Sequence, residues 1–367
     1  MARTTILRRV VIGAVLALTA SACADAKDPG TAALSSASSG VIGIAMPTKT
    51  SERWIADGSN MAKQFEALGY RTDLQFGGDD VQTQIAQIDA MIANHDRALI
   101  IAAIDGSALT AVLQKAATAK IPVIAYDRLI RNTDTVSYYA TFDNFKVGVL
   151  EAQYLVKHLR LKTRKSPSTI ELFAGSPDDN NASFFFKGSM SVLKPYLRSG
   201  KLVVRSRQTR FKQVATMRWD GKVAGARMTK ILDSSYGSAH LDAVLAPYDG
   251  LSRGIIAACT KAGYGTRSRK LPLVTGQDAE LDSVKAIVAG KQSQTVYKDT
   301  RELAKVAVQM TDSLLNGGQP QVNDTEQYDN GVEVVPTFLL QPVSVDKTNY
   351  RSVLVDGGYF TAAQIDG

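Results

Sequence analysis

The sequence predicts an α/β fold of two similar lobes, each built on its own parallel sheet. Three observations carry this. From Val41 onward, short continuous apolar runs alternate with stretches of helical spacing. Strands that are apolar throughout, set between helices, belong to parallel sheets covered on both faces. The alternation also occurs twice over. The chain beyond residue 40 runs to about 320 residues, which favours two domains over one.

The elements follow in order. VIGIAM is a strand and ERWIADGSNMAKQFEALG has helical spacing. RTDLQF is a strand, and VQTQIAQIDAMIANH is a helix with Ile85, Ile88 and Ile92 on one face. ALIIAAI, the helix SALTAVLQKAATAK and IPVIAYD complete the first half. The second half gives strands TIELFAG, KLVVRSR, DAVLAPY, LPLVTGQ and SQTVYK. Between them lie the helices ASFFFKGSMSVLKPYL, GKVAGARMTKILDSS, GLSRGIIAACTKAG and AELDSVKAIVAG. ELAKVAVQMTDSLLNG is a further helix, and the tail VEVVPTFLLQPVSV is extended.

The halves match in detail. Trp54 and Gly58-Ser59 fall on Phe184 and Gly188-Ser189, 130 residues on. Ile104-Asp105-Gly106 parallels Tyr248-Asp249-Gly250, and Ala125-Tyr126-Asp127 parallels Gly276-Gln277-Asp278. Ligands of parallel sheets sit at the carboxyl ends of strands. The matched polar residues lie at those ends, so two polar rims are expected to face each other across a cleft. The rim set is Arg53, Trp54, Asp105, Asp127, Arg128, Asn180, Asn181, Trp219, Asp249, Gln277, Asp278 and Lys298. Carboxylates accept hydrogen bonds from adjacent hydroxyls, Arg donates to two oxygens, and aromatic faces cover C–H surfaces. That mixture suits a neutral polyol better than a phosphate. The plainer alternative is that Asp105-Gly106 and Asp249-Gly250 are helix caps and turns only.

The N-terminus reads as an export signal, residues 1–22: Arg3, Arg8 and Arg9 precede an apolar run too short to span a bilayer. LTASAC resembles a lipobox, in which Cys23 would be a lipid anchor, while Ala20-Ser21-Ala22 also fits ordinary signal cleavage. Residues 23–40 are a small, polar, flexible tether. An exported protein held at the outer face of the cytoplasmic membrane is expected. Without residues 1–22 the chain carries 40 basic and 35 acidic residues, a mild balance that reads as spread out with no basic block, so nucleic acid is not implied. Cys259, in an apolar helical pattern, reads as an inert buried thiol.

Enzyme signals are poor. His95, His158 and His240 have no neighbours at metal-ligand spacing, and there is no Walker A, HExxH, CxxC or nucleophile elbow. Asp179 and another acid could form a glycosidase pair, but nothing fixes their separation. No catalytic residue, metal or cofactor is expected.

The series TSERW, IDG, IAYDRLIRN, YATFDN, GSPDDNNA, VLKPY, GQDAE and VYKDTREL resembles the periplasmic sugar-binding proteins of ABC transporters. The likeness is to their xylose-binding and multiple-monosaccharide-binding branch, from about Val41 to Phe360. It departs at GTRSRK and at Arg205–Lys212, which read as surface loops. The resemblance implies the type I fold of two Rossmann-like lobes joined by a three-segment hinge. The first lobe would hold residues 41–142 and 299–335, the second 143–298 and 336–362, with crossings near Thr141–Asn144, Asp299 and Pro336. It implies a ligand set of Arg53, Trp54, Asp105, Asp127 and Arg128 from the first lobe. Asn181, Trp219, Asp249 and Asp278 come from the second, and Lys298 lies at the hinge. Tyr248 stands where ribose-type binders carry Asn. The implied ligands are aldopentoses and aldohexoses such as xylose, arabinose, glucose and galactose. The implied partners of this monomer are an ABC permease and ATPase, or a sensor kinase that docks the sugar-closed form. A repressor on the same core would need an N-terminal helix-turn-helix where this chain has its export signal.

Overall fold

A computed structural model describes residues 40–367. The expected signal peptide, Cys23 and the tether up to residue 39 lie outside the described residues. The chain opens with β1 (Val41–Met46), β2 (Arg71–Phe76), β3 (Ala98–Ile101), β4 (Val123–Tyr126) and β5 (Val136–Phe142). It then crosses to β6 (Ser168–Leu172), β7 (Leu202–Val203), β8 (Ala243–Leu245), β9 (Leu273–Val274) and β10 (Gln294–Tyr297). It returns for the helix Thr300–Leu315 and β11 (Thr337–Leu340), and crosses again to β12 (Val343–Asp346).

The first sheet has the order β11-β5-β4-β3-β1-β2, parallel throughout. The second has the parallel order β7-β6-β8-β9. A bridge between Gln277 and Val296 carries it on to β10, which pairs antiparallel with β12.

One strand departs from the expected division. Residues 336–362 were expected in the second lobe, with a crossing near Pro336. Thr337–Leu340 instead pairs in parallel with Tyr139–Phe142, so β11 completes the first sheet and the crossing falls at Gln341-Pro342. An apolar TFLL run fits the open edge of either sheet, and its pattern does not say which. The expected strand KLVVRSR pairs only at Leu202 and Val203.

Both faces of the first sheet are covered. Ile42, Ile44 and Met46 pack with Met61 and Phe65 of the helix Glu52–Ala67 and with Leu303 and Ala307 of the returning helix. On the other face Leu99, Ile101 and Val123 meet Ile88, Met91 and Leu113. In the second lobe the helices Asn144–His158 and Asn180–Arg198 cross closely. A Cβ on Gly148 would lie 1.9 Å from the Phe185 carbonyl oxygen, and one on Gly188 would lie 2.1 Å from that of Phe145. Only glycine permits that crossing, which sets both helix N-termini at the cleft.

Candidate functional site

Each lobe ends a strand in an aspartate with left-handed backbone. Asp127 follows β4 with φ 58°, and Asp278 follows β9 with φ 89°. That conformation is costly for a residue with a Cβ and persists only where neighbours enforce it. At Asp127 three donors do so. Its carbonyl accepts from Tyr139 Oη at 2.5 Å, Asn181 Nδ2 at 2.7 Å and Thr141 Oγ1 at 3.0 Å. Asn181 belongs to the second lobe, so this turn is already an interlobe contact.

The carboxylates meet shared cations. Arg53, in the first turn of its helix, bonds Asp57 through Nε at 2.9 Å and Asp127 through Nη2. Its Nη1 lies 3.6 Å from Asp278 Oδ1. Lys298 Nζ lies 3.0 Å from Asp278 and 3.7 Å from Asp127. All these groups are nearly excluded from solvent. Burial pushes the Asp127 carboxyl up, but the Arg53 and Lys298 charges outweigh it and hold the carboxyl at about 2. Asp57 is pushed up to about 7 by burial, against the pull of Arg53 and the Tyr126 hydroxyl. Arg128 pairs through Nε with Asp179 at 3.2 Å and donates through Nη1 to the Ala103 carbonyl at 3.1 Å. Burial raises Asp179 from the usual carboxylate range, and Arg128 offsets part of this.

Aromatic rings wall the cleft. The guanidiniums of Arg53 and Arg128 lie 4.6 and 5.0 Å from the centre of Trp54. Across the cleft Trp219 meets Phe185 and Tyr248 edge-on, each at 6.1 Å. Arg218 and Trp219 are both left-handed, at φ 53° and 56°, which turns the indole over Gly175. The indole Nε1 of Trp219 and Oε1 of Gln277 are buried in this cleft without a partner among the described residues. The space between atoms here amounts to about 550 Å³, open mouth included.

Of the residues expected from sequence, Arg53, Trp54, Asp127, Arg128, Asn181, Trp219, Asp278 and Lys298 converge on this cleft, with Gln277. Asp105 and Asp249 do not. Asp105 accepts from the Ser107 amide at 2.8 Å and closes a turn. Asp249 is fully buried below the cleft floor, bonded to Gln292 at 2.7 Å, the Glu280 amide at 2.9 Å and Thr295 at 3.1 Å. Asp105 thus serves a turn, and Asp249 a buried network of one backbone amide and two side chains. Asn180 is also absent from the lining. Sequence reading missed Thr48, Thr50, Ser51, Asp79, Phe185 and Arg218, noted Tyr248 only as a replacement for the Asn of ribose-type binders, and placed Asp179 only as a catalytic alternative. The offset repeat could have flagged Phe185, beside the match to Trp54.

A second set of contacts closes the cleft mouth. Glu280 Oε1 accepts from Tyr248 Oη at 2.6 Å and, across the lobes, from Ser51 Oγ at 2.9 Å. Its Oε2 pairs with Arg253 Nη1 at 2.6 Å. The lobes therefore touch on the Ser51 side and on the Asn181 side, with the cleft between. Among the described residues no group of three or more His, Cys, Asp or Glu is placed to hold a metal. No helix among them is long and apolar enough to cross a membrane.

Residues 42–319 match the family model described as a periplasmic binding protein domain. The chain is 60% identical over 329 residues to the multiple sugar-binding periplasmic receptor ChvE of Rhizobium radiobacter, covering 90% of this chain and 93% of that one. It is 58% identical to the multiple sugar-binding periplasmic protein SbpA of Azospirillum brasilense, covering 88% and 90%. Among solved structures, it superposes with a TM-score of 0.85 and 48% identity on an ABC transporter solute-binding protein of Clostridium phytofermentans with bound β-D-glucose. That match covers 89% of this chain and 99% of the other.

Proposed function

The chain belongs to the periplasmic binding protein domain family, and from that premise we propose that it captures monosaccharides between its lobes and delivers them to an ABC importer. One observation carries the reading. Three ion-paired carboxylates, their three cations and two unpartnered polar atoms converge from both lobes between aromatic walls. A sugar hydroxyl donates to a carboxylate and accepts from a cation, so this balanced ring satisfies a neutral polyol in both roles. Trp54 and Trp219 would cover the C–H faces of the ring. Asp127, Asp278, Arg53, Arg128, Asn181 and Lys298 would hold its oxygens. No step of this needs bond making, and the protein acts as a receptor rather than an enzyme.

Closure gives the receptor its output. Arg53–Asp278, Asn181–Asp127 and Ser51–Glu280 are contacts between lobes, which opening at the hinge would break. A ligand that bridges the lobes favours the closed state. A permease that touches both lobes can read that state. We further propose that the exported protein works as a monomer and is tethered through Cys23. The expected ligands are aldopentoses and aldohexoses; the two relatives, both multiple sugar-binding periplasmic proteins, support that breadth. Calorimetric titration with xylose, arabinose, glucose and galactose tests the reading. Micromolar or tighter binding of at least one is expected, and no binding of any would overturn it.

A further inference from the structure

The mild net charge of the chain conceals an uneven distribution. The first lobe, residues 41–142 and 299–341, carries 11 Lys and Arg against 18 Asp and Glu, a net of −7. The second, residues 143–298 and 342–367, carries 28 against 15, a net of +13. Within it the span 157–212 holds 13 Lys and Arg side chains, all exposed. None of the thirteen has an ion-pair partner among the described residues. The three acids of the same span are engaged elsewhere. Glu171 is buried against Ser206 and Tyr236, while Asp178 and Asp179 pair with Arg218 and Arg128.

The densest part is one place in the fold. Lys157 lies in the last turn of the helix Asn144–His158, and Arg160, Lys162, Arg164 and Lys165 follow it. Lys194 and Arg198 end the helix beside it, and Lys201 Nζ donates back to the Leu161 carbonyl at 3.3 Å. Between the two helix ends runs a groove floored by Val156, Val192, Pro195 and Tyr196 and rimmed by Lys157 and Arg160. These are the ends remote from the cleft, about 20 Å along helices whose other ends carry Asn144 and Asn181.

We propose that this face docks the protein on an anionic phospholipid surface. An unpaired cluster of this density repels itself and is attracted by any dense array of negative charge. A cationic rim around an apolar floor matches a lipid headgroup layer, where cations meet phosphates and aliphatic or aromatic side chains meet the acyl boundary. A protein partner that must tell open from closed has to touch both lobes, and this face lies on one lobe only. A second copy could offer the acidic stretch of Glu326, Asp329 and Glu333, but that head-to-tail contact does not close on itself. The acidic first lobe would be repelled by the same surface, so the molecule stands on its second lobe with the cleft free.

Co-sedimentation of the exported protein with phosphatidylcholine vesicles, with and without phosphatidylglycerol, tests this. Binding to the anionic vesicles alone is expected, and it should weaken as salt rises. The variant Lys157→Gln/Arg160→Gln/Lys162→Gln/Arg164→Gln/Lys165→Gln should lose about tenfold or more of that binding. A second variant, Lys194→Gln/Arg198→Gln/Lys201→Gln, should act in the same direction if the first folds poorly. Glucose titration of each variant should match the parent, which shows that the fold and the cleft are intact. Equal partition onto both vesicle types overturns the proposal, as does unchanged anionic binding by both variants. So does salt-sensitive self-association in place of vesicle binding.

Discussion

Asp127 and Asp278 come from opposite lobes and share the same two cations, Arg53 and Lys298. The arrangement spans the cleft and contains no exposed member. Two carboxylates this near each other repel unless cations lie between them. The cations thus do two things: they let the lobes close, and they leave donor and acceptor sites facing a ligand.

Lys298→Met removes one of the shared cations. Breaking a buried ion pair by deleting one partner costs about 3–5 kcal/mol, because the other charge stays buried. We expect a drop of that order in urea-unfolding stability, together with weaker sugar binding. The double variant Lys298→Met/Asp278→Asn should recover part of the stability and none of the affinity. Equal stability of the single and double variants would separate Lys298 from Asp278.

Arg128 and Asp105 make a contrasting pair. Arg128→Ala leaves Asp179 buried without its cation, and removal of a charge-assisted partner should cost about 2–5 kcal/mol in sugar affinity. Asp105→Ala removes only a turn bond to Ser107. It should lower stability by about 1 kcal/mol and leave calorimetric affinity unchanged. Equal losses of affinity in the two variants would restore Asp105 to the site.

That contrast shows what the sequence could carry. The alternation of apolar runs and helical spacing reflects burial on both faces of a sheet, so strand and helix order were legible. Asp127 and Asp278 were legible because the repeat sets them at equivalent strand ends. Asp105 and Asp249 repeat just as well, yet their carboxylates turn to backbone amides and to Gln292. A repeat preserves backbone position, whereas side-chain direction depends on the loop that follows. Ser51 and Arg218 were hidden for a related reason. They enter the cleft through interlobe contact or left-handed backbone, and neither leaves a periodic trace. The strand Thr337–Leu340 was assigned to the wrong lobe because an edge strand is chosen by the sheet that receives it.

Gly175→Ala tests the Trp219 wall without touching a polar group. A Cβ there would lie 1.9 Å from the indole ring, so the ring must move. Loss of an aromatic face from a sugar ring should weaken binding by about 1 kcal/mol or more. Tryptophan fluorescence should shift in the free protein as well. Unchanged affinity with a shifted spectrum would exclude Trp219 from the ligand.

Two aspartates give stability opposite slopes with pH. Asp127 is held at about 2, below the 3.8 of the unfolded chain, so it contributes above about pH 4. That contribution, of roughly 2 kcal/mol, is lost as pH falls from about 4 to 2. Asp57 is raised to about 7, so the folded chain keeps a proton that the unfolded chain releases near 3.8. Stability therefore falls as pH rises from about 4 to 7. We expect urea unfolding to show greater stability in mild acid than at neutrality. Asp57→Asn keeps an acceptor for Tyr126 and should flatten the neutral limb. A slope unchanged by Asp57→Asn would assign the effect to other buried acids, Asp249 and Glu151 first, both raised chiefly by burial.

The Ser51–Glu280 bond supplies a test of closure separate from sugar chemistry. Glu280 is fixed within its own lobe by Tyr248 and Arg253, so its carboxylate is in place before the lobes meet. Ser51 brings only a hydroxyl, at the entrance of the helix that carries Arg53. Ser51→Ala leaves Glu280 with its other partners and removes a single cross-lobe bond to a charged group. Such bonds contribute about 1.5–3 kcal/mol. The loss should fall on the open–closed equilibrium and not on the ligand contacts. Small-angle scattering should then show a larger radius at subsaturating glucose, and stopped-flow release should be faster, with association little changed. Because closure is linked to binding, the affinity for every bound sugar should fall by the same factor. A loss confined to one sugar would instead make Ser51 a ligand contact, and no loss at all would show that the other cross-lobe contacts hold the lobes closed without Ser51.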